Sequence, residues 1–525
     1  MELHAAGTRW AIATPHTVAT EAGAVAFDRG GNAVDAALVA AVTLAVSYPH
    51  NCGVGGDLFA LVQRPDGATI AINASGRAPA GVDPDALRVR YGSVMPEEGP
   101  DSITVPGAVS GWATLHREGA RLPWADAFGP AIALAHDGVA VSRSLSRALH
   151  EREALLAADP GMVDVFFADD GAPLPRGGLF RQPALGATLQ QLATEGPSAL
   201  YGGSVGERYV AGLRAAGAPI TSHDLTAHSA DVIPPLSGRY RGLHVRVVPP
   251  NSQGFALLEM LALAERLGID PDPLGPDAGV LALTFAAANQ DRDHHLADPE
   301  AMRVHPSTLL DDGHLAGLAD RIRDATSPTA VPGHRDGAGD TIAMVTADAD
   351  GWAVSLIQSL WDSFGSAILE PETGIVAHDR GGCFTLEPGH PNEVAPGKRP
   401  FHTLMPVLVH RDGRLAAVTG SMGGASQPQI NAQTLIRAFD LEMEAGETIA
   451  APRWTVWGGA RDGVVRAESA VPAATTDRFE EAGFRIDRLE GPDEALGHAH
   501  VILLRPDGTF DVGSDPRADG GALAL

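Results

Sequence analysis

The chain has 525 residues, 44% of them hydrophobic and 20% charged. That length allows two to four domains or one large layered unit, and the composition is of the ordinary globular kind. Its 65 acidic against 38 basic side chains give a formal net charge of −27, which argues against the clustered lysine and arginine that nucleic acid and anionic membrane surfaces recruit.

Two cysteines, Cys52 and Cys383, cannot build a disulfide framework. No basic segment followed by an apolar run opens the chain, so no signal peptide is expected. The most apolar stretch, residues 36–46, is shorter than the ~20 residues of a membrane-spanning helix. A cytoplasmic protein is the expectation.

In chain order, the first half reads as helices joined by loops. Thr20 is a candidate cap for a short helix ending at Gly30-Gly31, and Asn32 for a second, alanine-rich helix over residues 33–46, stopped by Pro49. Gly53-Val54-Gly55-Gly56 reads as a tight turn. No Gly-Lys-Ser/Thr follows it, and its spacing is not that of a dinucleotide fingerprint. Further helices are expected near residues 124–135, 183–194, 255–267 and 280–289, and a strand over residues 240–248. Residues 327–340, SPTAVPGHRDGAGD, have no apolar period and read as an exposed, mobile loop. Two hairpins follow. Residues 341–347 and 352–358 are joined by Asp348-Ala349-Asp350-Gly351, and residues 406–410 and 415–419 by Arg411-Asp412-Gly413. A helix is expected to start by Gln429. Strands and helices that segregate in this way suggest stacked sheets flanked by helices.

The familiar metalloprotease set His-Glu-x-x-His is absent. The close histidine pairs, His294-His295 and His498/His500, have no matching ligand set nearby in sequence, so no metal and no cofactor is expected. Thr341 stands where a Gly-Asp loop meets a strand. A self-cleaving threonine needs that position, because its hydroxyl must reach the preceding carbonyl and the freed α-amino group then serves as a base beside the hydroxyl. Gly423-Gly424, after a strand, can turn two backbone N–H groups toward a developing oxyanion.

These segments, taken together and in order, resemble the γ-glutamyltranspeptidase family along nearly the whole chain. The resemblance is carried by Thr20-Glu21-Ala22-Gly23 with GGNAVDAAL at 30–38, PHNCGVGGDLF at 49–59, VPGAVSGW at 105–112 and YRGLHVRVVPPNSQGF at 240–255. GDTIAMVTADADGWAVSLIQS at 339–359, with Phe364-Gly365-Ser366, continues it. PGKRPFHTLMP at 396–406, GSMGG at 420–424, APRW at 451–454 and DPRADGGA at 515–522 complete it. It implies an α+β fold, the four-layer αββα sandwich of N-terminal-nucleophile hydrolases. It also implies autocleavage before Thr341 into a heterodimer of residues 1–340 and 341–525, forming one intertwined unit. Thr341 falls on the nucleophile, Ser359 on the hydroxyl that supports it, and Gly423 and Gly424 on the oxyanion glycines.

The departures bear on the substrate. Glutathione-cleaving members carry an arginine for the substrate α-carboxylate shortly before an Ala-Pro. Here Ser75 takes that position, and Arg77 lies two residues further on. The group that binds the α-amino end falls on Trp361, Arg380 and Cys383, and a serine pair falls on His402-Thr403. Arg380 would repel an ammonium. Arg77, Arg380, His402 and Thr403 are therefore the expected substrate-binding residues, in a pocket suited to an anionic acyl group without an α-amine. With SLIQS at 355–359 and FHTLMP at 401–406, the pattern looks more like the amidase and acylase branch, which includes oxamate amidohydrolase-like and cephalosporin acylase-like members. The expected substrate is a small-molecule amide. The alternatives are a true γ-glutamyltransferase or glutathione hydrolase, and an unprocessed scaffold.

Overall fold

The computed structural model describes residues 1–324, 340–457 and 463–525. Most of the loop expected at residues 327–340 lies outside the described residues, and its last residue, Asp340, already belongs to a strand.

The strand Asp340–Asp348 turns back through Gly351, at φ +96°, into Ala353–Trp361. Side chains alternate across both strands. Ala343, Val345, Ala347 and Ile357 enter one core with Leu408, Val418, Ile502 and Val512 of another sheet. Ile342, Met344, Val354 and Leu356 enter a second core with Leu38, Val42 and Trp112 from helices. A strand pair buried on both faces must lie in the middle of a layered structure.

The first sheet runs Gly521–Ala524, Trp10–Thr14, Asp340–Asp348, Ala353–Trp361, Asp57–Gln63, Thr69–Ala74, Asp231–Ile233. The second runs His4–Gly7, Phe510–Ser514, Ala499–Leu504, Arg414–Ser421, Val407–Arg411, Leu243–Val247, Leu236–Tyr240. Neighbours in both sheets pair antiparallel. Helices including Thr17–Asp28, Ala33–Ser47 and Ala108–Gly119 cover the outer face of the first sheet. Gly254–Leu267, Ala278–His295, Asp312–Asp324 and Gln427–Phe439 cover the second. The layers are α, β, β, α, as the resemblance implies.

Local chemistry explains the best-defined helix. Asn32 caps Ala33–Ser47 by accepting from the backbone of Val34 and Asp35, and the Asp35 carboxylate accepts from Asn32 N in return, a complete capping box. Every residue of this helix is buried. A Cβ on Gly23 of the preceding helix would stand 3.0 Å from the Ala36 carbonyl, so the two helices approach at a distance only small residues allow.

Several expectations are corrected. Thr20 does not cap a helix. The helix Thr17–Asp28 starts after His16, and the Thr20 hydroxyl lies inside it, 2.8 Å from that of Thr14. Residues 240–248 are not one strand, because the chain reverses at Arg241-Gly242, both at positive φ, between Leu236–Tyr240 and Leu243–Val247. The first half also supplies more than helices: Asp57–Gln63 and Thr69–Ala74 are strands of the first sheet. A helix has begun by Gln429 as expected, as Gln427–Phe439. That expected over residues 280–289 extends over Ala278–His295. The tight turn at residues 53–56 and both hairpins are present.

Candidate active site

Strand register gathers the site. Thr341 pairs with Ser359, and Ser359 pairs with Asp57 on its other side. Directly opposed residues of an antiparallel pair share a face, so Thr341, Ser359 and Asp57 form a row facing the space between the sheets. The register shifts between Asp340 and Thr341, a bulge at the head of the strand.

Thr341 is fully buried, and its hydroxyl donates to Ser359 Oγ at 2.9 Å. The Ser359 hydroxyl donates in turn to the Asp340 carbonyl oxygen at 2.9 Å and accepts from Trp361 N at 2.8 Å. Ser359 thus touches both the Thr341 hydroxyl and the carbonyl of the Asp340–Thr341 peptide, and its single proton and both acceptor positions are used. The Thr341 carbonyl accepts from Asn51 Nδ2 at 3.2 Å. Asn51 itself is held by its own carbonyl, which accepts from Leu360 N. Trp361 sits at φ +87°, a costly conformation for a bulky residue.

Gly423 and Gly424 follow the strand Arg414–Ser421, which lies across the nucleophile-strand pair. A Cβ on Gly420 would meet Ala343 and Ser355, and Ser355 Oγ donates to the Thr419 carbonyl at 2.7 Å. Both glycines have positive φ, +134° and +52°, and a Cβ on Gly423 would stand 2.5 Å from Ile430 Cδ1. The Gly423 carbonyl accepts from Ser426 N. The Gly424 N–H, trans to it in the same peptide plane, therefore points the opposite way, out of the turn. Gln253 Nε2 bridges the carbonyls of Gly424 and Thr403 at 2.9 and 2.7 Å, and Arg292 Nη1 holds the Ala425 carbonyl at 2.7 Å. These ties fix the turn against the loop that carries His402 and Thr403.

Arg380 is buried, with its guanidinium carbon 4.2 Å above the Trp361 ring. Its Nη1 reaches Thr403 Oγ1 at 3.3 Å and Cys383 Sγ at 3.5 Å. Its Nη2 has no hydrogen-bond partner among the described residues, and none of their carboxylates lies within ion-pairing distance of it. A buried guanidinium left with a free N–H edge is costly unless something anionic takes it.

His402 has both ring nitrogens engaged. Nδ1 accepts from Leu404 N, so Nε2 carries the proton and donates to Asp57 Oδ2 at 3.0 Å. Burial first, then the Arg380 charge, push its pKa down to about 3, so the ring is neutral near pH 7. Burial opposes ionisation of Asp57, but the His378 and His402 rings and the Arg380 charge outweigh it and hold the carboxyl below its ordinary range. Gly76 N donates to the other Asp57 oxygen at 2.9 Å. Thr403, Arg380 and His402 thus come together beside the row. Arg77 does not join them. Its half-exposed side chain reaches Asp298 at 3.4 Å and the Gly397 carbonyl at 3.0 Å, and Ser75 Oγ donates to Asn73 Oδ1 at 2.7 Å.

Asp57, Asn51, His378 and Gln253 were not singled out from sequence. Asp57 carries a signal, a lone acid heading the apolar run Asp57–Gln63 straight after a glycine pair.

Comparison with known proteins places the chain in a family. The family model described as gamma-glutamyltranspeptidase matches residues 19–525. The chain is 37% identical over 519 residues, 97% of each chain, to the oxamate amidohydrolase proenzyme of Klebsiella pneumoniae subsp. pneumoniae. It is 36% identical over 526 residues, 99% of each chain, to the glutathione hydrolase-like YwrD proenzyme of Bacillus subtilis. A solved cephalosporin acylase from Bacillus halodurans superposes with a TM-score of 0.92 at 30% identity, covering 100% of this chain and 97% of that one. The chain belongs to the gamma-glutamyltranspeptidase family and is an enzyme of the N-terminal-nucleophile hydrolase type.

Proposed function

We propose that the chain cleaves itself between Asp340 and Thr341, and that the resulting fragments, residues 1–340 and 341–525, stay together as an amidase. The observation that carries this reading is the hydroxyl chain from Thr341 through Ser359 to the Asp340 carbonyl. Ser359 polarises the carbonyl to be attacked and aligns the attacking hydroxyl. The N-to-O shift moves the Asp340 acyl group onto the Thr341 oxygen as an ester and frees the Thr341 amine, and water then cleaves the ester into the Asp340 carboxyl and the Thr341 hydroxyl. In turnover, that amine takes the proton of the Thr341 hydroxyl as the hydroxyl attacks a substrate amide. The N–H groups of Gly423 and Gly424 receive the oxyanion, the leaving amine departs protonated, and water resolves the acyl ester.

The acyl group is acidic in this reading. Arg380 offers its free N–H edge to a carboxylate, with Thr403 beside it, and His402, neutral and tied to Asp57, shapes the wall. Oxamate, from which one relative takes its name, is an amide whose acyl group bears such a carboxylate. Steady-state rates on monoamides of short dicarboxylic acids are expected to exceed those on glutathione, and faster release of glutamate from glutathione would reverse the substrate assignment. The base must be neutral to act, so kcat/KM is expected to fall as pH drops through the α-amine pKa of about 8. His402, at about 3, should add no limb between pH 5 and 9. A profile with no dependence across that amine pKa would count against the assigned base.

A further inference from the structure

Away from this pocket, three helices of the outer layer bring together side chains that the proposed chemistry does not use. Glu259 lies on Gly254–Leu267, Asp291 on Ala278–His295 and His314 on Asp312–Asp324. One donor atom from each falls within 4.8 Å of the others. His314 Nε2 stands 2.5 Å from Asp291 Oδ2 and 3.4 Å from Glu259 Oε1.

Glu259 is the anomaly. Its side chain is 0% exposed, and neither carboxyl oxygen has a hydrogen-bond partner among the described residues. A buried, unsatisfied carboxyl on an otherwise apolar helix face is expensive. Burial and then the Asp291 charge push it well above its ordinary pKa, with Arg321 opposing from the His314 helix. His295, one turn along from Asp291, lies close enough to feel the charges of Asp291 and His314. Asp291 and His314 keep 14% and 25% of their side chains exposed, so the cluster has one buried wall and one open side.

We propose that Glu259, Asp291 and His314 form a site for a divalent transition metal of the zinc or manganese class. An imidazole with two carboxylates and no thiolate suits these ions better than calcium, magnesium or copper(I). Metal–ligand distances of about 2.0–2.2 Å require donor atoms no more than about 4.4 Å apart, which small rotamer shifts achieve here. The cation takes the place of the proton between His314 and Asp291 and of the proton on Glu259. Water fills the coordination positions on the open side. Two of these helices hold the glycine turn, one through its N-cap residue Gln253 on the Gly424 carbonyl and the other through Arg292 on the Ala425 carbonyl, so the metal clamps the scaffold behind that turn.

The test is calorimetric titration of tag-free protein, stripped with EDTA, with zinc sulfate and separately with manganese chloride, followed by thermal melts. The wild type is expected to bind about one equivalent and to melt higher with metal. Glu259→Gln keeps the shape and neutrality of the protonated carboxyl and should fold, yet bind at least about tenfold more weakly and lose the melting shift. His314→Ala, on the exposed side, should behave the same way. No saturable binding by the wild type would mean that Glu259 is only a buried neutral carboxyl with no metal to hold, and would overturn the proposal. Equal binding by all three proteins would overturn it too, since the metal would then sit on other histidines.

Discussion

Thr341→Ala is expected to remain a single chain of 54.3 kDa on a denaturing gel and to hydrolyse amides at least about 10⁴-fold more slowly than the wild type. Both losses follow from one atom. The Thr341 hydroxyl is the group poised beside the Asp340 carbonyl through Ser359, and alanine removes the attacking oxygen while leaving the strand intact. Fold should survive, because Thr341 contributes little apolar surface and its neighbours Ile342 and Ala343 anchor the strand in two cores. Thr341→Ser keeps the oxygen but loses the methyl that restricts the rotamer, so it should process and turn over, more slowly. Ser359→Ala separates the two roles: it leaves the nucleophile in place but removes the donor to the scissile carbonyl. Slowed processing in that variant, read from the rate at which the second band appears, is the expected outcome. Complete processing of Thr341→Ala would refute the assignment.

Arg380→Met is expected to lower kcat/KM on acidic acyl amides by about 10- to 100-fold, the ~1.5–3 kcal/mol of a hydrogen bond to a charged group, while leaving neutral acyl amides unchanged or improved. The guanidinium has a ring beneath it and one N–H edge without a partner. Methionine restores the apolar contact with Trp361 and removes the charge, which converts a site that favours anions into one that tolerates neutral groups. Arg380→Lys should recover only part of the effect, because an ammonium cannot make the planar two-point contact. Equal losses on acidic and neutral substrates would assign Arg380 to holding Trp361 in its positive-φ conformation instead of to the substrate.

The parts of this site that could be read in the sequence are those with local causes. The Gly-Asp-Thr junction, the turn at Asp348-Ala349-Asp350-Gly351 and the Asn32 cap each rest on neighbours within a few residues, and the structure has the turn and the cap where they were expected. The order of motifs supplied the family. Other elements lacked a local signal. Asp57–Gln63 is buried on both faces, so it shows no alternation to mark it as a strand. The reversal at Arg241-Gly242 puts a non-glycine residue at φ +44°, which no turn rule would choose. The partner of Asp57, His402, is 345 residues away, and Glu259 meets His314 only through the packing of separate helices. Those pairings depend on sheet order and helix packing, which composition and spacing do not encode. His402 shows the consequence. Its place in the pocket was expected from sequence, but the proton it carries and the carboxylate it faces were visible only in three dimensions.

The most direct test of the central claim is intact mass spectrometry of the purified enzyme, mixed with an acidic acyl amide and quenched in acid within its first turnovers. The account predicts two species, residues 1–340 and 341–525, with the acyl mass added to the second alone and mapping to Thr341. A full-length chain that turns over substrate, or an acyl group carried on residues 1–340, would contradict it.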